Sequence, residues 1–187
     1  ESVLINNKLI LSKCKEIVKQ FMPSSVKKLK LYKDKKPIFF NHGIEKKIVD
    51  INNPNVTLKS GGYLVINQTE ALVAIDINSG KFTKNRNIED TAFQTNLEAA
   101  EEISRQIRIR DLAGLIVIDF IDMKSRKDQF TVYKTLKESL KQDRARTNVL
   151  QISQLGLLEM TRQRMEDSIN TSGYIDCPDC KGRGKVK

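Results

Sequence analysis

The spacing of apolar positions changes several times along the chain. Over residues 7–21, Ile10, Cys14, Ile17, Val18 and Phe21 recur every three or four positions. That period predicts an amphipathic helix with Cys14 inside its buried stripe. Pro23 and the two serines after it end the helix. Leu29 and Leu31 alternate with lysines, the pattern of a half-exposed strand. Residues 43–51 predict a short helix, and His42, the one histidine, reads as a loop or capping residue. Asn-Asn-Pro and Ser-Gly-Gly mark residues 52–62 as a boundary.

Past that boundary the β-rich runs Tyr63–Asn67 and Ala71–Ile77 flank a short polar turn. Asn78, Ser79 and Gly80 end the second run, and a polar loop continues to Asn87. A long helix is expected over 89–110, with Asn87 as its cap, acids in its first turn and Arg105, Arg108 and Arg110 near its end. Phe93, Ala100, Ile103 and Ile107 form its inner face. Leu115–Phe120 is a continuous apolar strand of the kind buried on both faces of a parallel sheet. A helix over 128–143, a strand over 148–152 and a short helix over 156–165 complete the expectation. The chain has no internal repeat and no apolar run of membrane-spanning length. The expected class is α/β, mixed α+β.

Residues 72–120 read as strand, loop, helix, strand, a βαβ unit whose two strands run parallel. Ligands of such sheets bind at the carboxyl ends of the strands. Each of these strands carries one acid there, Asp76 and Asp119, inside an otherwise apolar run. An embedded charge is costly unless it is paired or coordinated, and two carboxylates sharing a strand end repel. A divalent cation removes both costs, and magnesium is usually held by one or two carboxylates plus substrate phosphate. Asn78 lies two positions after Asp76, on the same face, where it could orient water or a phosphate oxygen. The same pattern also suits acids that end their strands or pair with arginine. Asp122 is a third acid nearby, past the strand end and outside the expected core site. The chemistry that fits a metal there is phosphodiester hydrolysis. One histidine in another region excludes a Ser/His/Asp or Cys/His triad, and Lys59-Ser-Gly-Gly62 lacks the order and spacing of a P-loop.

The 187 residues are 39% hydrophobic and 30% charged, as in soluble globular proteins. The net charge of +10 is uneven. Residues 1–60 hold thirteen lysines and five acids, and the remainder is nearly balanced. A basic surface suits a polyanion such as nucleic acid or an anionic membrane, while a lysine-rich, AT-biased genome explains the excess equally well. Three cysteines and no secretory leader point to reduced thiols in a cytosolic or organellar compartment. A start without Met points to a fragment or a processed chain. Cys177-Pro-Asp-Cys180, followed by glycines, is a zinc-knuckle pattern. Structural zinc needs four ligands, so a second chain would supply the other pair and give a zinc-linked dimer. A redox dithiol, or a knuckle completed further along the sequence, are the other readings. Gln142-Asp-Arg-Ala-Arg146 and Arg162-Gln-Arg164 place paired guanidiniums near element ends, suited to bidentate phosphate contacts or to a solvated surface.

The stretches Thr69–Ser79, Asn96–Ala100, Arg110–Met123, Gln142–Arg146 and Gly156–Met160, with the terminal Cys-Pro-Asp-Cys, resemble the ribonuclease E/G family. The resemblance is dense from about residue 60 to residue 184, and weaker but collinear over 1–59. It implies that 1–59 is the second part of a subdomain similar to RNase H. It makes 60–172 a catalytic subdomain similar to DNase I, and 173–187 a zinc-link segment. It places magnesium on Asp76 and Asp119, a supporting amide on Asn78, and zinc shared between two chains on Cys177 and Cys180. Arg146, with Arg144 beside it, falls where RNA is held by its 5′-monophosphate in a neighbouring protomer. The implied activity is endonucleolytic cleavage of single-stranded, AU-rich RNA in RNA processing and decay. Its products carry a 5′-phosphate and a 3′-hydroxyl. The implied assembly is a zinc-linked dimer, or a tetramer built as a dimer of dimers, in a bacterial cytoplasm or a plastid stroma. A non-catalytic, zinc-linked RNA-binding scaffold is the reading from another class. The family's upstream RNA-binding and 5′-sensing parts, and its small dimerisation domain, have no counterpart in this sequence.

Overall fold

A computed structural model describes residues 2–80 and 88–165, together with the backbone of Ile175–Asp176 and Lys185–Val186. The chain divides into two compact units, Glu1–Asp50 and Ile51–Lys187.

In the first unit, Asn7 starts helix α1 (Lys8–Phe21) by accepting the Leu9 and Ile10 amides on its side-chain oxygen at 2.9 and 3.1 Å. Strand β1 (Val3–Ile5) precedes α1. A 3-10 turn from Pro23 leads into β2 (Leu29–Leu31), which pairs parallel with β1. Two helices follow, α2 (Ile38–Asn41) and α3 (Ile44–Asp50), with His42 at the C-terminal end of α2. The expected stripe of α1 exists but is largely uncovered. Leu11 alone is buried, Cys14 and Val18 are half-buried, and Ile10, Ile17 and Phe21 are exposed. Two three-residue strands offer too little surface to cover a fourteen-residue helix.

The second unit is built on one six-stranded sheet in the order β3-β4-β5-β6-β8-β7. Its strands are β3 (Asn55–Thr57), β4 (Tyr63–Gln68), β5 (Val73–Asn78), β6 (Gly114–Asp119), β7 (Thr147–Val149) and β8 (Leu157–Arg162). All neighbours run antiparallel except β5 and β6, which are parallel and joined through helix α4 (Ile88–Ile109). The expected βαβ unit is therefore present. The cap position Asn87 lies outside the described residues. Strand β3 pairs with β4, so the compact unit opens at Ile51, nine residues before the boundary expected at residue 60.

Helix α5 (Arg126–Leu140) is started by Ser125, whose hydroxyl accepts the Asp128 amide at 3.3 Å. Helices α4 and α5 cover one face of the sheet. Leu64, Ile75, Ile116 and Leu158 meet Ile103 and Leu136 there in a single apolar core. Strands β4, β5, β6 and β8 bury alternate residues only. Strand β6 is thus not buried on both faces. Ile116 and Ile118 face the helices, while Leu115 and Asp119 are exposed. A sheet with helices on one side leaves the other side open, whatever the hydropathy of the strand.

The helix expected over 156–165 is also replaced, by strand β8. Leu158, Met160 and Arg162 are inward at a period of two, and β8 bonds to β6 on one side and β7 on the other. A short apolar run reads equally well at either period, and pairing with β6 decides it. The last described elements are two short antiparallel strands, β9 (Ile175–Asp176) and β10 (Lys185–Val186). Among the described residues no helix is long and apolar enough to cross a membrane.

Candidate metal centre

Asp76 and Asp119 are direct partners in the parallel register of β5 and β6, so their Cα atoms stand side by side at the carboxyl ends of the two strands. Adjacent strands lie about 4.8 Å apart. Both side chains are on the open face and are exposed. Two carboxylates at this spacing are a ready donor set for a hard cation, provided the remaining positions are filled by water or substrate oxygen. Among the described residues no group of three or more His, Cys, Asp or Glu side chains comes together. Two carboxylates alone would suit magnesium completed by water and phosphate better than a closed protein cage.

Asn78 is the last residue of β5 and donates its Nδ2 to Asp76 Oδ2 at 2.8 Å. One Asp76 oxygen is held in place, and the second is left for a ligand. The end of β5 is braced from beneath. A Cβ on Gly62 would fall 2.8 Å from the Asn78 carbonyl oxygen, so only glycine permits this approach. Glu98, on α4, accepts the backbone amides of Lys59 and Ser60, the latter at 3.1 Å, and fixes the loop that carries Gly62.

The end of β6 is braced by Asn96, which is wholly buried. Its Nδ2 donates to the Ile121 carbonyl at 2.8 Å, and its Oδ1 accepts the Ile121 amide at 3.1 Å. Sequence spacing gave a signal for this residue. Asn96 continues the stripe of Ala100, Ile103 and Ile107, and a polar residue at a core position of a helix needs a partner. Asp122 is exposed and close to Gly156, where a Cβ would lie 3.3 Å from its Oδ1.

The arginines separate into two groups. Arg144 and Arg146 are exposed on the loop before β7. Thr147 is in register with Arg162, and Arg162 with Gly114, so this loop lies at the far end of β6 from Asp119. Five residues of strand and two strand spacings put the two guanidiniums on the order of 20 Å from the carboxylates. The chain does not bring them together. Arg162, by contrast, is no surface residue. It donates to Asp143 at 2.7 and 3.2 Å, to Asp111 at 2.6 Å and to the Leu112 carbonyl at 3.1 Å. Burial alone would raise the Asp143 carboxyl, but the Arg162 hydrogen bonds, the Ala145 amide and nearby positive charge outweigh it and hold it below the usual range. Cys177 and Cys180 lie outside the described residues; the sequence places both between β9 and β10.

The chain matches the Ribonuclease E/G family over residues 1–165. It is 45% identical to Ribonuclease G of Haemophilus influenzae over 187 residues, all of this chain and 38% of that protein. It is 47% identical to Ribonuclease E of Escherichia coli over 186 residues, 99% of this chain and 18% of that protein. A third relative, Ribonuclease E of Buchnera aphidicola, is 46% identical over 186 residues and is matched over 19% of its length.

Proposed function

The chain belongs to the ribonuclease E/G family, and on that footing we propose that it carries the catalytic carboxylates of a magnesium-dependent endoribonuclease. The chain spans about a fifth to two fifths of the length of the relatives it matches. The observation that carries the reading is the in-register placement of Asp76 and Asp119 at two parallel strand ends, open to solvent.

In this reading Asp76 and Asp119 hold the magnesium and Asn78 supports them. Bound there, the ion would polarise a phosphoryl oxygen and lower the pKa of its water. The chain's own contribution is positional. Asn78 fixes the rotamer of Asp76, Asn96 fixes the backbone just after Asp119, and the uncovered sheet face leaves room for a phosphodiester. The substrate is single-stranded RNA, AU-rich, cut in RNA processing and decay to leave a 5′-phosphate and a 3′-hydroxyl. Arg144 and Arg146, remote from the carboxylates, would take phosphate elsewhere on the RNA or in a neighbouring protomer.

Cys177 and Cys180 supply two thiolates of the four that structural zinc needs. A second chain would supply the rest, linking a dimer and, in the full-length protein, a dimer of dimers. The compartment is a bacterial cytoplasm or a plastid stroma. Cleavage of a 5′-monophosphorylated single-stranded RNA by the full-length protein, with and without magnesium, tests the carboxylates. Asp76→Asn and Asp119→Asn should each reduce cleavage at least a hundredfold, and equal rates in parent and variants would sink the assignment. Metal analysis tests the link: about half a zinc per chain and a dimer dissolved by chelator are expected, whereas one zinc per monomer rejects sharing.

A further inference from the structure

A pocket of about 550 Å³ opens just past the carboxyl end of β6, between residues 124–133 and residues 151–154. Its walls are pinned. Gln129 Nε2 donates to the Met123 carbonyl at 2.7 Å, and across the pocket the Ser153 amide donates to the Leu157 carbonyl at 2.8 Å. Lys124 is five residues after Asp119, so the pocket mouth is within about 18 Å of the carboxylates along the chain.

The lining combines three chemistries. Phe130 and Tyr133 stand 6.1 Å apart, centroid to centroid, with their planes tilted by 40°. The buried stripe of α5 is Val132, Leu136 and Leu140, so Phe130, 55% exposed, is not a core residue. The lining includes two cations and no carboxylate. Lys124 pairs with Glu89 at 2.9 Å, while Arg126 makes no ion pair among the described residues. Gln151, Ser153 and Gln154 add hydrogen-bonding groups. Arg126 is also the first residue of α5, with Lys127 next. Cations are disfavoured at the positive end of a helix, and Asp128 in the same turn offsets them.

An exposed aromatic ring beside a free guanidinium is the recognition chemistry of an unpaired nucleotide. The base stacks on the ring and the phosphate meets the arginine. We propose that this pocket takes one unpaired base of the RNA strand close to the scissile phosphate, stacked on Phe130, with an adjoining phosphate on Arg126. The proposal rests on the ribonuclease reading and adds a subsite to it.

The test is binding of a short single-stranded RNA to the full-length protein, read by fluorescence anisotropy over a range of salt, alongside cleavage rates. Phe130→Ala should weaken binding about tenfold, and Phe130→Trp should keep it. Arg126→Ala should weaken binding and reduce the slope of log K against log salt by about one. RNAs with one abasic nucleotide, moved along the strand, should reveal one position whose loss matches that of Phe130→Ala and does not add to it. Parent-like binding and salt slope in both alanine variants would overturn the subsite while leaving the carboxylate reading intact. Parent-like cleavage by Asp76→Asn and Asp119→Asn would overturn that reading whatever the pocket does.

Discussion

Asn96 grips Ile121 by both of its backbone polar groups: the Asn96 Nδ2 donates to the Ile121 carbonyl and the Asn96 Oδ1 accepts the Ile121 amide. Ile121 is two residues beyond Asp119, so a helix side chain sets where the chain turns after the candidate ligand. Asn96→Ala should lower stability by about 2 kcal/mol, since two backbone groups lose their partner at a part-buried position. Asn96→Asp should cost more, because it keeps the acceptor, loses the donor and buries a charge. Urea unfolding measures both. Cleavage at a temperature where Asn96→Ala is fully folded should still fall at least tenfold. Unchanged cleavage there would limit Asn96 to a stabilising role.

The buried cluster of Arg162, Asp143 and Asp111 makes stability depend on pH in a defined direction. The side chains of Arg162 and Asp143 are 5% and 4% exposed. The folded protein holds the Asp143 carboxyl below its ordinary range. Its contribution is therefore complete above the unfolded pKa of about 3.9 and is lost as pH falls through the lower folded value. The urea midpoint should drop between about pH 5 and pH 2, and Asp143→Asn should start lower and change less over that range. Arg162→Met should cost about 3–5 kcal/mol at neutral pH, because it strands two carboxylates. A loss well under 1 kcal/mol would mean that water reaches the cluster.

How much of this arrangement is legible in the sequence depends on which forces act locally. Asp76 and Asp119 were readable because a charge inside a β-rich run is conspicuous, and because the helix between the runs forces the strands parallel. Their exact register, residue against residue, belongs to the sheet and is written in neither strand alone. The fate of 156–165 was not readable. Leu157, Leu158 and Met160 suit a helix as well as a strand until β6 and β7 offer their hydrogen bonds. The burial of Arg162 is unreadable for the same reason. Its partners Asp111 and Asp143 come from the ends of two helices and converge only in the folded sheet. Asp111 even adopts a positive φ of 48° in the turn that ends α4. In the α1 stripe, periodicity disclosed the amphipathic face but could not tell whether anything covers it.

The paired carboxylates yield a prediction that separates ligand residues from structural ones. Among the described residues Asp119 makes no side-chain hydrogen bond or ion pair, and its cross-strand neighbour Asp76 has the same charge. Like charges directly opposite on a sheet are destabilising by a few tenths of a kcal/mol to about 1 kcal/mol. Asp119→Asn should therefore stabilise the metal-free protein by about 0.5 kcal/mol while abolishing cleavage. Added magnesium should raise the urea midpoint of the parent, since an ion that binds only the folded state stabilises it, and should leave the variant unmoved. An acid that served merely to end its strand would behave oppositely. Its replacement would lower the midpoint, and magnesium would shift parent and variant alike. Asp76→Asn is the less decisive substitution, because Asp76 also accepts the Asn78 amide, and a lost charge-assisted hydrogen bond offsets the relieved repulsion. The clean test is Asp119→Asn, unfolded in urea with chelator and again with excess magnesium.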